Sequence, residues 1–164
     1  MSDSSGPAVV DHDEMDAVSS ADVVDEVDEA ADALYSLLSL FLLQQPRDIS
    51  MTAASTLSTL RREGAQRITA LALAQGVTQP SMTNLIASLE KSGMVQRRDD
   101  PADGRASLIE LTAKGLEYSI GRRRGGTERI SGHIDRLPAE EREAVIAAVP
   151  ALRTLEDIVR GIRD

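Results

Sequence analysis

Residues 68–115, ITALALAQGVTQPSMTNLIASLEKSGMVQRRDDPADGRASLIELTAKG, decide the fold. The apolar spacing predicts a short helix over 68–75 that stops at Gly76, a residue suited to the left-handed turn that follows a helix. Thr78 is placed to cap the next helix, 79–92, and Pro80 falls in its first turn, where a missing amide hydrogen is tolerated. Met82, Leu85, Ile86 and Leu89 share one face of that helix and are expected in the core. Gln79, Ser81, Thr83, Asn84 and Lys91 occupy the other side. Gly93 ends the helix. Two extended segments follow, 94–98 and 107–111, separated by DDPADGRA, a run dense in turn formers. This predicts a hairpin with a loop longer than a tight turn. Two helices joined across Gly76-Val77 outline a helix-turn-helix, and a hairpin directly after them makes the outline a winged one.

Upstream, Ser50 caps a helix over 51–63 that Gly64 closes. Before it, Val23, Val24, Val27, Ala30, Ala31, Leu34, Leu37, Leu38, Phe41 and Leu42 recur at spacings of three and four, and Pro46 ends that first helix. Tyr35, Leu40 and Leu43 lie off the main stripe, so residues 34–43 are apolar on two faces. Such a helix is expected to touch two things, its own core and a second chain. Downstream, Thr112 caps a long helix reaching about Leu137, interrupted at Gly121-Arg122-Arg123-Arg124-Gly125-Gly126, which is either a solvated basic face or a hinge. Pro138 restarts the chain, and Pro150 should kink or split the stretch 139–163. The expected architecture is α+β, mainly helical: an acidic flexible arm at 1–20, an N-terminal dimerisation helix at 21–49, a winged helix-turn-helix lobe at 50–115, and C-terminal helices at 116–164 that complete a dimer stem.

Charge supports this division. The net charge of −9 is concentrated, since residues 1–32 carry 11 acids and no Lys or Arg. Residues 61–124 hold 11 bases against seven acids, so the middle of the chain is basic although the whole is acidic. The field at the contact decides nucleic-acid binding, and global acidity does not exclude it. The arm reads as a solvated tail, with occupation of the basic surface as the sharper alternative. The chain has no cysteine, which excludes disulfides, thiolate metal sites and a thiol switch. Its aromatics are Tyr35, Phe41 and Tyr118 alone, too few for a base-stacking platform. Asp11-His12-Asp13-Glu14 sets oxygen and imidazole donors in a row, but adjacent residues in a flexible arm rarely close around a metal, so no metal and no cofactor is expected. No nucleophile–base pair is visible, so no enzyme is expected. No segment approaches the roughly 18 apolar residues of a membrane span, and the N-terminus lacks a basic and apolar signal, so the expected location is the cytoplasm.

The stretch 68–115 resembles the winged-helix core of the MarR family of bacterial transcription regulators. The matching pieces are Ile68-Thr69-Ala70-Leu71-Ala72, Gln79-Pro80-Ser81-Met82-Thr83, Leu89-Glu90-Lys91-Ser92-Gly93, the wing signature Asp103-Gly104-Arg105, and Leu111-Thr112-Ala113-Lys114-Gly115, with weaker matches out to Leu137-Pro138-Ala139-Glu140-Glu141. The resemblance implies a homodimer that binds a near-palindromic stretch of double-stranded operator DNA, acting as a repressor that a small aromatic or phenolic effector releases. It also implies candidate pocket residues: Tyr35, Phe41, Met51 and Tyr118.

Physical chemistry assigns the DNA contacts. Thr78, Gln79, Ser81, Thr83 and Asn84 present hydroxyls and amides near a helix N-terminus, where phosphates and base edges are in reach. Asn84 stands where arginine is common in the family, and asparagine favours adenine. Asp103 and Arg105 are two apart and can share one face of the loop, with Gly104 between them for the turn and Arg105 aimed at the minor groove. Lys91, Arg97 and Arg98 are candidate phosphate contacts, and because strand neighbours alternate sides only one of the two arginines is expected to face DNA. Arg61 and Arg62 fit either a backbone contact or a solvated face. The rival function is a winged-helix protein-interaction module that never meets DNA.

Overall fold

The computed structural model describes residues 20–101 and 103–161, with side chains at 25–101 and 107–161. The acidic run at 11–14 lies outside the described residues. Among those described, the elements in chain order are α1 (Ser20–Leu43), α2 (Met51–Glu63), β1 (Gln66–Arg67), α3 (Ile68–Ala74), α4 (Gln79–Lys91), β2 (Val95–Asp100), β3 (Asp103–Leu111), α5 (Ala113–Ile134), α6 (Ala139–Ala147) and α7 (Val149–Val159). They fall into two compact units. One ends at Gln45 and holds α1; the other begins at Pro46 and holds the remaining elements.

Local chemistry sets most of the boundaries in the second unit. Ser50 Oγ accepts from the Ala53 amide at 3.1 Å, Thr78 Oγ1 from Ser81 at 3.3 Å and Thr112 Oγ1 from Gly115 at 3.1 Å, so three helices start on a hydroxyl cap. The ends of α3 and α4 share one geometry. Gly76 and Gly93 take positive φ, their amides bond to Leu73 and Glu90, and the next amides, Val77 and Met94, reach back to Ala72 and Leu89. This double bond satisfies carbonyls that a helix end leaves open, and Val77 and Met94 then pack against the core.

The core is one cluster. Leu57 and Leu60 of α2, Leu71 of α3, Met82, Ile86 and Leu89 of α4, Val95 of β2 and Ile109 of β3 are all buried. The apolar face expected on α4 is there, with Leu85 at its half-buried edge. The three strands form an antiparallel sheet in the order β1-β3-β2. The two-residue strand β1 is absent from the sequence reading, because two residues carry no periodicity.

The structure corrects two other expectations. The hairpin expected with a loop longer than a tight turn has longer strands instead: β2 continues to Asp100 and β3 begins at Asp103, leaving only residues 101–102 between them. The register passes from Asp99 opposite Ser107 to Asp100 opposite Asp103, so residues 104–106 form an irregularity within β3. The end of β2 is held from outside the hairpin, since buried Asp100 accepts from Arg67 Nε at 2.8 Å and Nη2 at 2.5 Å. The second correction concerns α5, which runs unbroken through Gly121, Gly125 and Gly126 to Ile134. A helix accepts glycines at about 1 kcal/mol each when its other turns are anchored. The Thr112 cap and the side chain of Arg122 do so here. The C-terminal helical stretch does split, at Ala148, which puts Pro150 in the first turn of α7.

Candidate nucleic-acid interface

The α4 helix buries Met82, Ile86 and Leu89 and exposes Gln79, Ser81, Thr83, Asn84 and Lys91 on its other side. Ala87 and Ser88 are exposed too and continue the same surface between Thr83 and Lys91, a contribution the sequence reading missed. Thr78 and Ser81 hydroxyls lie 2.9 Å apart at the helix start. Thr83 Oγ1 donates to the Gln79 carbonyl at 2.9 Å. Its hydrogen is therefore engaged within the helix, and toward a partner it offers lone pairs and a methyl group.

The wing follows α4 through a fixed junction. Thr112 Oγ1 donates to the Gly93 carbonyl at 2.6 Å, and Lys114 Nζ donates to the Ser92 carbonyl at 2.7 Å. Gly115 packs so closely that a Cβ there would lie 1.9 Å from the Met94 carbonyl oxygen. The Leu-Thr-Ala-Lys-Gly run therefore clamps the start of α5 onto the α4–β2 turn, which sets the direction in which the hairpin leaves.

Arg97 and Arg98 face opposite sides of β2, as alternation requires. Arg97 shares the face of buried Val95 and bonds through Nε to Glu90 of α4 at 3.2 Å. Arg98 lies on the outer face, with Nε 2.9 Å from Glu110 of β3. Gln96 Nε2 also donates to Glu110, at 2.8 Å. Both arginines thus have a carboxylate neighbour on an adjoining element, a partnership that the period of a single helix or strand does not announce. Of Asp103 and Arg105 the backbone is described, as part of β3, and the side chains lie outside the described residues.

The pocket candidates separate. Tyr35 and Phe41 belong to α1, where Tyr35 is largely exposed. Met51 opens α2 and is half-exposed. Tyr118 lines a cavity of about 280 Å³ together with Pro46, Asp48, Gly121 and Arg122, and Met51 does not. Tyr118 Oη donates to Asp48 Oδ2 at 2.6 Å; Arg122 Nη1 donates to Asp48 Oδ1 at 3.1 Å and Nη2 to the Pro46 carbonyl at 3.1 Å. Arg122 is thus tied inward, whereas Arg123 and Arg124 are exposed. The Tyr118 hydrogen bond, aided by the Arg122 charge, lowers the Asp48 carboxyl below its ordinary value. Burial, followed by the bond to Asp48, raises the Tyr118 phenol.

Among the described residues no cluster of three or more His, Cys, Asp or Glu side chains is arranged to hold a metal, and no helix is long and apolar enough to cross a membrane.

Comparison with known proteins supplies the family. Residues 49–107 match the MarR family model. The HTH-type transcriptional regulator MT0903.1 of Mycobacterium tuberculosis is 36% identical over 109 residues, which is 66% of this chain and 76% of the relative. YusO of Bacillus subtilis, at 17% identity, shares the fold with a TM-score of 0.62 over 83% of this chain and 98% of its own. A point mutant of Staphylococcus aureus MepR, solved bound to an oligodeoxyribonucleotide, is 22% identical with a TM-score of 0.55, over 80% of this chain and 96% of its own. Clamped wing, capped polar α4 and these likenesses lead to one assignment: the chain belongs to the MarR family of DNA-binding, helix-turn-helix transcriptional regulators.

Proposed function

We propose that the chain acts in the cytoplasm as a homodimeric repressor that reads a near-palindromic operator with α4 in the major groove and the β2–β3 wing beside it, and that a small aromatic or phenolic effector releases it. The observation that carries this reading is the polar side of α4. Gln79, Ser81, Thr83, Asn84 and Lys91 are exposed on a helix whose other face buries Met82, Ile86 and Leu89 and whose N-terminus Thr78 already caps. Such a face has no task within the chain.

On this reading Asn84 pairs with an adenine edge, Thr83 accepts from a base amino group or packs on a thymine methyl, and Lys91 with one of the two arginines, Arg97 or Arg98, holds phosphates. Asp103 steadies the wing and Arg105 reaches the minor groove. The stem comprises residues 21–49 and 116–164. It takes its drive from Tyr35, Leu38 and Leu43 on α1 and from Leu152, Leu155 and Ile158 on α7, all exposed in the single chain. The effector enters the cavity at Tyr118, where a phenol or carboxylate competes for the bonds joining Asp48, Tyr118 and Arg122. The S. aureus MepR mutant bound to an oligodeoxyribonucleotide supports the DNA part of the reading.

Binding to duplex fragments selected from the source genome tests it. Arg105→Ala should weaken binding and lower the salt slope by about one unit. Thr83→Ala and Asn84→Ala should change base preference by about 1–3 kcal/mol. Unchanged affinity, slope and preference in all three variants would overturn the interface, and salt-independent behaviour toward duplex would favour the protein-interaction module.

A further inference from the structure

A second cleft, of about 430 Å³, opens between the C-terminal turn of α2, the middle of α5 and α7. Arg61 and Arg62 enter it from α2, Arg123 from α5, and Arg153 and Arg160 from α7. Only two carboxylates share the lining, Glu156 and Asp157, so its formal charge is five positive against two negative, or +3. Glu156 is bonded to Arg160, and Arg62 has its partner in Glu63 at 3.3 Å. Arg61, Arg123 and Arg153 have no carboxylate paired with them among the described residues, and Arg61 Nε is buried with no acceptor. Guanidinium groups facing one space repel until an anion lies between them.

The lining also restricts the ligand. It contains neither an aromatic nor an aliphatic side chain, so nothing rewards an apolar body. Planar guanidinium forks match the paired oxygens of phosphate and carboxylate groups. The volume is that of a small-molecule site. We propose that this cleft binds a small hydrophilic polyanion carrying two or more anionic groups, of the class of phosphorylated metabolites. The ligand bridges α2, α5 and α7. The site is separate from the Tyr118 cavity and shares no residue with it or with the polar face of α4. Since α6 and α7 bury no side chain, an anion held from both sides fastens α7 to the winged lobe.

Inorganic pyrophosphate is the probe, with the full chain at physiological salt, read by calorimetric titration and by the thermal unfolding midpoint. The expected result is saturable binding that raises the midpoint. Arg123→Gln and Arg153→Gln, both at exposed positions, should each weaken binding about tenfold without lowering the unliganded midpoint, since each removes a like-charge repulsion. Arg124→Gln, next to the cleft but not in its lining, should bind like the wild type. Absence of saturable binding, or equal binding by the Arg123 and Arg153 variants, would overturn the proposal. So would a loss of duplex DNA affinity in those variants without pyrophosphate binding by the wild type, since the arginines would then serve the DNA backbone.

Discussion

The winged lobe and the helices outside it treat apolar residues in opposite ways. The fully buried apolar side chains lie between Ala53 and Ile109, on α2, α3, α4, β2 and β3. The described part of α1, together with α6 and α7, buries none. Yet α7 is the more amphipathic in design, with Leu152, Leu155, Ile158 and Val159 at spacings that form one stripe, all of it exposed. The lobe closes its core with its own elements, whereas α7 of the same unit carries an apolar face that they leave wet. Such faces of contiguous Leu and Ile normally meet a partner.

The largest effect of a single substitution is expected at the lobe centre. Leu57 is 1% exposed, and Leu57→Ala should cost about 2–5 kcal/mol in urea unfolding, since the transfer and cavity terms add. A loss below about 1 kcal/mol would mean the core is not closed there. Next comes the clamp of the wing. Gly115→Ala drives a Cβ into the Met94 carbonyl, and about 1–3 kcal/mol should be lost, accompanied by weaker duplex binding as the hairpin shifts. Thr78→Ala removes the α4 cap and should cost about 1 kcal/mol with the fold intact by circular dichroism. For the outer helices the expectation reverses. Leu155→Ala should change stability by less than about 0.5 kcal/mol at concentrations where the chain is monomeric, and by more as concentration rises and pairing sets in. A large loss at every concentration would place α7 in the core and erase the contrast.

The smallest expected effect lies at Asp48. Its folded pKa is lowered, so the contribution of its bonds to Tyr118 and Arg122 is present above the ordinary carboxylate range and is lost as pH falls through the lowered value. Tyr118 is raised, so its contribution persists below the ordinary phenol value and is lost only as pH rises through the folded one. The difference in unfolding midpoint between the wild type and Asp48→Asn should therefore be steady near neutrality and vanish in acid. A difference that persists in strong acid would assign it to packing instead.

Local signals were legible in the sequence and distant ones were not. Ser50, Thr78 and Thr112 announced helix starts because a cap needs only its own first turn, and Gly76 and Gly93 announced ends because few other residues accept the required φ. The polar face of α4 followed from period alone. The Arg67–Asp100 pair joins residues 33 apart, and the carboxylates beside Arg97 and Arg98 are set by how β2 lies against α4 and β3, which the period of one element does not show. Glycine propensity suggested a break in α5, but anchoring of the helix by Arg122 on Asp48 and Pro46 overrides a preference of that size.

The central claim is that the exposed side of α4 reads DNA sequence. It is tested most directly by fluorescence anisotropy of one genome-selected duplex against a scrambled duplex of equal length and composition, across a salt series. The selected duplex should bind at least about a thousandfold more tightly, with affinity falling steeply as salt rises. Equal affinity for the two duplexes at every salt concentration would contradict it.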